Sequence, residues 1–201
     1  MEEDTAMPKH ARPARVLAAA VLALAGLAAA GQAPVSAAPL SGSDLINKMD
    51  GSRLALHNDS TADGATAITL RDPAWKYNTE RWTIDLSAWQ ADAPNTYTAT
   101  LRNEAANKCL QPSAATPQRG TTVVVRTCDG SQLQKWSLYA ERVGDSHTGW
   151  WTYRPMVDKN LALSLNRYND GSWDSLYLNI AQPSSDRLWR RATDDTPLAN
   201  G

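Results

Sequence analysis

Apolar and polar residues alternate in short runs over most of this chain, and Gly, Pro, Asn and Asp separate the runs. Side chains at every second position of a strand share one face, so a period of two predicts half-buried β-strands. No window of a dozen residues carries the apolar stripe of a helix. Many short strands at regular spacing predict an all-β sandwich or barrel. The stretches with a period of two include Trp82, Ile84 and Leu86; Tyr97, Ala99 and Leu101; Val123 and Val125; and Leu176, Leu178 and Ile180.

The strand pattern recurs three times, at a spacing of about fifty residues. Trp82, Trp136 and Trp189 lie 54 and 53 residues apart, and each follows a short apolar segment by 27 or 28 residues. Each Trp begins a stretch with a period of two, so its ring should point into the core. One unit of this size cannot bury its own apolar face, so the three repeats must close around a shared core. The apolar segments are Leu54-Ala55-Leu56, Cys109-Leu110 and Leu161-Ala162-Leu163, and the predicted repeats cover about 44–90, 93–144 and 147–193.

The middle repeat has the most specific motifs. It contains Cys-Leu-Gln-Pro at 109–112, Gly-Thr-Thr-Val-Val-Val-Arg-Thr-Cys-Asp-Gly at 120–130 and Gln-Lys-Trp at 134–136. With the spacing of the outer repeats, these motifs resemble the repeat of ricin-type β-trefoil lectin domains over residues 44 to about 193. The resemblance implies a β-trefoil of three pseudo-threefold repeats of four short strands. Six strands would form a short barrel, and six would form hairpins that cap one end.

The first 37 residues have the order of a secretory signal peptide. Basic residues between positions 9 and 15 precede an apolar run over 16–30, and small residues lead to Ala37. The acidic start leaves Met7 open as the true initiator. A membrane anchor is the alternative, but the apolar run has 15 residues and a spanning helix needs about 20. We therefore expect secretion, with cleavage after Ala37 and no membrane span in the mature chain.

The rest of the chain is predicted to consist of a linker over 38–43, the domain over 44–193 and a polar tail over 194–201. Two cysteines behind a signal peptide indicate one disulfide in an oxidising compartment. The resemblance places Cys109 and Cys128 on two strands of the middle repeat. The outer repeats have no cysteines and must rely on packing.

Composition and motifs argue against several classes of function. The formal net charge is −1, which argues against a nucleic-acid partner and against electrostatic docking on anionic membranes. No G-x-S-x-G or H-E-x-x-H motif occurs, and two cysteines without partner pairs do not form a zinc site. The turn that starts at Asp59 begins like a calcium loop but has Leu70 where a Glu is required. We expect no enzyme, no cofactor and no metal; a small hydrolase is a remote alternative.

Ricin-type repeats bind sugar through three positions. These are an Asp two residues after the first Cys, an aromatic residue two before the second Cys, and an Asn before the Gln-x-Trp triplet. No repeat of this chain keeps the set, so the resemblance predicts the scaffold more strongly than the ligand. The corresponding residues are Leu56, Leu70 and Thr79 in the first repeat, Gln111, Arg126 and Leu133 in the second, and Leu163, Asn179 and Asp186 in the third.

Two regions combine aromatic rings with polar side chains, as sugar recognition requires. The third repeat carries Trp173 on a long predicted loop, and an insertion over 73–78 in the first repeat would lift Trp75 to solvent. The alternative in both regions is a polar turn whose Trp packs against the barrel. Of the neighbours Trp150 and Trp151, one should face inward and the other outward. The candidates are Asn166, Tyr168, Trp173, Tyr177, Asn179 and Asp186 in the third repeat, and His57, Asp59 and Trp75 with Tyr77 in the first.

The sequence thus predicts a secreted carbohydrate-binding module without catalytic activity. The resemblance and the 8 Trp and 6 Tyr residues motivate this prediction. The alternative is a protein-binding trefoil, either an inhibitor or a targeting subunit of a secreted complex, and the loss of the sugar-binding set motivates it. Exposed rings beside Asp or Asn would favour a sugar, whereas a flat apolar patch would favour a protein partner.

Overall fold

The computed structural model describes residues 38–89, 96–166 and 173–193. The predicted signal peptide, the predicted polar tail over 194–201 and the candidate Tyr168 lie outside the described residues. By its internal packing the chain divides into residues 1–34, which are not described, and residues 35–201.

The described chain is all-β, as the period-two pattern predicts. Its regular elements are twelve strands and four single turns of 3₁₀-helix. The strands are β1 Leu40–Asn47, β2 Arg53–Leu56, β3 Ala67–Leu70, β4 Trp82–Trp89, β5 Thr96–Asn103, β6 Lys108–Pro112, β7 Val123–Thr127, β8 Lys135–Val143, β9 Ser146–Pro155, β10 Leu161–Leu165, β11 Trp173–Ile180 and β12 Trp189–Ala192. The 3₁₀ turns are His57–Asp59, Asn78–Glu80, Gln132–Gln134 and Ser185–Arg187.

Six of the strands close into a barrel. Each pairs antiparallel with two others, in the order β1, β4, β5, β8, β9, β12 and back to β1. Closure leaves the barrel no free edge, and alternate side chains of every strand point inward. The barrel implied by the resemblance is therefore present.

The other six strands form three antiparallel hairpins, β2–β3, β6–β7 and β10–β11. Every hairpin follows one barrel strand and precedes the next, so all three lie at the same end of the barrel. Strand β11 also pairs with β3, which joins the last hairpin to the first. None of these three hairpins, which belong to the described residues, lies at the opposite end of the barrel.

The first strand begins earlier than the sequence indicates. Strand β1 starts at Leu40, inside the segment 38–43 that is predicted to be a linker. Leu40 lies opposite Ile84 on β4 and packs against the core, and Ser43 is fully buried. The small residues of this segment resemble a linker in composition. They are nevertheless part of the barrel because the strand can pair on both sides.

Three tryptophans form the centre of the core. The side chains of Trp82, Trp136 and Trp189 are fully buried at the start of β4, near the start of β8 and at the start of β12. Each indole N–H donates to a leucine carbonyl in the preceding hairpin, so the polar edge of each ring is satisfied. The three acceptors are Leu54, Leu110 and Leu163, at 3.0, 2.9 and 3.0 Å respectively.

The hydrogen bonds of these tryptophans correct the alignment of the repeats by one residue. The sequence pairs Leu54 and Leu161 with Cys109. The shared acceptor role instead makes Leu54 and Leu163 equivalent to Leu110. The position of Cys109 is therefore held by Arg53 and Ala162 in the outer hairpins. The position of Gln111, one of the expected sugar-binding positions, is held by Ala55 and Ser164 instead of Leu56 and Leu163.

Cys109 and Cys128 form a disulfide that joins β6 to the segment after β7. The first hairpin uses a polar contact at the corresponding place. The guanidinium of Arg53 donates to the backbone carbonyl of Asp72 at 3.2 Å. The prediction that the outer repeats rely on packing alone is therefore incomplete for the first repeat.

Candidate functional site

An exposed tryptophan projects from the loop between β3 and β4. Trp75 keeps 40% of its surface exposed, while Tyr77 is half-buried. The two rings are nearly parallel, with an angle of 22° and centroids 6.3 Å apart. Tyr77 packs against the outer apolar side of the β2–β3 hairpin. Trp75 is therefore supported from behind by a second ring.

The loop that carries Trp75 is fixed by a buried ion pair. Arg53 Nε donates to Glu80 Oε2 at 2.7 Å, and both side chains are only 6% exposed. The same guanidinium donates to the Trp75 carbonyl at 2.8 Å, and Glu80 Oε1 accepts the Tyr77 N–H at 2.8 Å. Since both backbone bonds originate from buried groups, the aromatic loop has a rigid base.

Two further rings border this loop. Trp173 belongs to β11, opposite Leu70 on β3, and not to a loop as the sequence predicts. Its ring packs on the outer apolar side of the β2–β3 hairpin, with Ile68 and Leu70, and lies 4.8 Å from the ring of His57. Neither a long loop nor a polar turn against the barrel describes Trp173, because it lies on a strand and packs on a hairpin.

Asp59 connects the turn of His57 to the end of the aromatic loop. Its carboxylate accepts the backbone N–H groups of Thr79 at 2.9 Å and Asn78 at 3.1 Å. Asn58 and Asp59 adopt positive φ angles of 56° and 52°, a conformation that Asn and Asp tolerate better than most residues. We call the surface formed by His57, Asp59, Trp75, Tyr77 and Trp173 the Trp75 face.

The charge of Asp59 is set by this geometry. Partial burial tends to raise the pKa of the Asp59 carboxyl, but the hydrogen bonds from Thr79 and Asn78 outweigh burial and lower the pKa below its usual value. The carboxylate is therefore ionised at neutral pH. The side-chain amide of Asn78 also donates to Oδ2 at 3.0 Å, so the carboxylate is engaged mainly in fixing this loop.

The remaining third-repeat candidates lie on a different surface. Tyr177 and Asn179 share the outer side of the β10–β11 hairpin with Ser164, which lies opposite Tyr177. Asn179 Nδ2 donates to the Tyr177 hydroxyl at 3.0 Å, and Ser164 Oγ donates to Asp186 Oδ2 at 2.8 Å. Asn166 is half-buried and contacts Ser175 on the same hairpin at 3.5 Å. These polar groups largely satisfy one another.

Solved structures share this architecture. The designed three-fold symmetric protein ThreeFoil matches with a TM-score of 0.59 and 20% identity, over 75% of this chain and 98% of its own. The Rhizoctonia solani agglutinin gives 0.56 and 15%, over 81% and 100%. The Macrolepiota procera ricin B-like lectin, in complex with lactose, gives 0.54 and 17%, over 77% and 97%. No protein-family model matches the chain, and the comparison with curated proteins finds no match.

The chain has the fold of these solved structures, a β-trefoil. At the expected sugar-binding position of the middle hairpin of this trefoil, Gln111 accepts a hydrogen bond from Gln134 at 3.0 Å. Arg126, at the expected aromatic position, forms an exposed ion pair with Asp63 at 2.8 Å. Ala55 in the first hairpin has no polar group to offer. The trefoil therefore uses these positions for internal contacts.

The neighbouring rings Trp150 and Trp151 lie on opposite sides of β9. Trp151 packs against the core and lies 5.7 Å from the ring of Tyr97. Trp150 is half-buried, with the cations of Lys48 and Arg190 at 5.7 and 5.1 Å from its centroid. Trp151 is thus the ring that faces inward, and Trp150 is held by cation–π contacts on the outer side.

Metal and membrane features can be stated for the described part of the trefoil. Among residues 38–89, 96–166 and 173–193, no three His, Cys, Asp or Glu side chains come together as metal ligands. Over the same ranges, no helix has the length and apolarity needed to cross a membrane.

Proposed function

We propose that this chain is a secreted carbohydrate-binding module without catalytic activity, and that it binds sugar through the Trp75 face. Several findings support the proposal. The sequence begins with the features of a signal peptide. The fold is that of lectins, one of which was solved with lactose. The exposed, ring-supported Trp75 is the observation that carries the proposal.

The proposal includes a division of the trefoil into three repeats of four strands. In each proposed repeat, a hairpin lies between two barrel strands, and the Trp of the second barrel strand donates to a leucine carbonyl of the hairpin. The N–H···O distances of these bonds agree within 0.1 Å. Repetition of the same buried contact is the physical reason to regard the repeats as equivalent.

Recognition would begin with the apolar face of a pyranose packed on the indole of Trp75. Exposed aromatic rings offer a large contact area at a small entropic cost. The rigid base of Arg53 and Glu80 keeps the ring in place before binding, which reduces the cost of ordering it. The imidazole of His57 is the polar group of the face that can hydrogen-bond hydroxyls, and Asp59 holds the turn of His57 against the aromatic loop.

We expect weak binding per site. A shallow surface with one exposed ring buries little ligand area, so the dissociation constant should be on the order of 1 mM, equivalent to about −4 kcal/mol. Binding at this strength is detected most readily with many copies of the module on one support.

The test is a glycan array combined with pull-down on insoluble polysaccharides, using the protein coupled to a multivalent support. Trp75→Ala should lose binding to any glycan that the unmodified protein retains. Trp150→Ala is the matched control, since Trp150 lies on β9, outside the Trp75 face. Tyr177→Phe tests whether the polar surface of the β10–β11 hairpin also takes part in glycan binding. The proposal fails if no glycan binds, and the assignment of the face fails if Trp75→Ala binds as well as Trp150→Ala.

The alternative of a protein partner would be favoured by a contiguous apolar patch. Among the residues described, the exposed large apolar side chains are Trp75, Val143, Val157 and Ile180. They belong to four separate segments: the loop after β3, the end of β8, the turn after β9 and the end of β11. Of these four, Trp75 is the aromatic side chain, and the proposal of a sugar rests on its ring.

A further inference from the structure

The end of the barrel opposite the three hairpins contains a cavity of about 250 Å³. All six barrel strands contribute side chains to its wall, and most of these side chains are apolar. The apolar wall includes Leu40, Leu86, Tyr97, Leu138 and Trp151.

One polar side chain of this cavity has no hydrogen-bond partner among the described residues. Tyr153 lines the cavity and is only 2% exposed, and no described residue hydrogen-bonds its hydroxyl. Burial raises the pKa of Tyr153, and the nearby charge of Arg191 opposes this only in part. The hydroxyl is therefore protonated at neutral pH and can donate to a ligand oxygen in the cavity.

Arg191 is the one cation among the described residues that line the cavity. It donates from Nε to the Ser43 hydroxyl at 2.6 Å, which fixes the guanidinium. Its two terminal nitrogens have no partner in the described part of the chain. None of the described Asp and Glu residues lines the cavity. The site thus offers apolar walls, one hydroxyl donor and one fixed cation.

We propose that this end of the barrel binds a small aryl carboxylate. A dry cavity of about 150 Å³ holds one benzene molecule, so the larger volume here has room for a fused pair of rings or a substituted ring. A carboxylate matches a guanidinium in charge and geometry. A sugar is excluded, because the apolar wall would leave most of its hydroxyls unpaired.

The first test is titration of the full chain with 2-naphthoate and with its neutral analogue 2-naphthamide, followed by calorimetry. Naphthoate should bind saturably and about ten-fold more tightly than naphthamide, because hydrogen bonds to a charged group are the stronger ones. Arg191→Gln should remove this difference. Arg190→Gln is the matched control, because Arg190 is adjacent on β12 but lies over Trp150, outside the cavity.

The second test fills the cavity. Leu40→Trp should abolish binding of both compounds, with the fold checked by circular dichroism. If that variant does not fold, NMR of the unmodified chain tests the site instead. The ring resonances of Tyr153 must shift on titration with naphthoate if the compound enters the cavity.

Absence of saturable binding overturns the proposal, as do Tyr153 resonances that stay unchanged during saturation. Equal affinity for the two compounds, or equal effects of the two arginine variants, overturns the role of Arg191. Trp75→Ala should bind naphthoate normally, so this site and the carbohydrate proposal can fail independently.

Discussion

Replacement of Arg53 by Met should strongly destabilise the protein. Met keeps most of the volume of the side chain but removes the cation that faces Glu80, and both partners are 6% exposed. Loss of one partner of a buried ion pair costs about 3–5 kcal/mol, because the remaining charge stays buried and uncompensated. In a domain of this size, each kcal/mol lowers the Tm by about 2–4 °C, so the Tm should fall by roughly 10 °C.

The cost should arise from the isolated Glu80 carboxylate, and a double variant tests this cause. The corresponding residue, two positions before Trp136, is Gln134, which is neutral and buried. Arg53→Met combined with Glu80→Gln should therefore recover most of the lost stability. Arg126→Met is the control, since its ion pair with Asp63 has a similar length but exposes about half of each side chain. Such surface pairs contribute little to stability, because water screens the two charges.

Urea unfolding followed by tryptophan fluorescence measures all these variants. A cost below about 1 kcal/mol for Arg53→Met would refute the reasoning, since it would equal that of an exposed pair. A double variant no more stable than the single one would also refute it. Arg53→Met should in addition weaken glycan binding under conditions where it is still folded, because the Trp75 carbonyl loses its donor.

Three further predictions follow from individual contacts. Reduction of the Cys109–Cys128 disulfide should lower the Tm, because its loop is worth about 3 kcal/mol; an unchanged Tm after complete reduction would contradict this. Trp136→Phe should cost at least about 1–3 kcal/mol in urea unfolding, because the buried Leu110 carbonyl loses its donor; a smaller cost would mean that the bond is replaced. Folding lowers the pKa of the Asp59 carboxyl, so the ionised carboxylate stabilises the folded protein above a pH of about 4. This contribution is lost on further acidification. The Tm difference between the unmodified protein and Asp59→Asn should therefore narrow on acidification, and a constant difference would contradict the assignment.

The barrel could be predicted from the sequence because its core has a strong periodic signal. Trp82, Trp136 and Trp189 are large, fully buried and separated by nearly equal distances along the chain. A ring of this size must face the core, so it fixes the inward side of each strand that it begins.

The register of the hairpins could not be predicted to the residue. Cys109 is itself buried, at 2% exposure, so aligning it with Leu54 and Leu161 matches apolar with apolar. A shift of one residue moves every side chain to the other face of a strand. The misalignment therefore assigned the expected sugar-binding position to the core residues Leu56 and Leu163, whereas Ala55 and Ser164 occupy it.

The candidate site depends on contacts between distant residues, which the sequence does not display. Arg53 and Glu80 are 27 residues apart, and nothing in their local sequence shows that they pair. Trp173 reaches the first hairpin only because β11 pairs with β3. The insertion before Trp82 did indicate an exposed Trp75. The sequence correctly grouped His57, Asp59 and Tyr77 with that ring, but it placed Trp173 in the third repeat as part of a separate region.

The pairing of β1 with β12 has a consequence for how the protein is made. The bond from Arg191 to Ser43 joins residues 148 positions apart, so the barrel cannot close until the last strand has been synthesised. Closure over such a distance slows folding. A stop codon before Trp189 would leave β1 and β9 with open edges, which recruit strands from other chains and aggregate. The same pairing brings the two ends of the domain together. The ends could therefore be joined by a short linker and new termini opened in a surface loop.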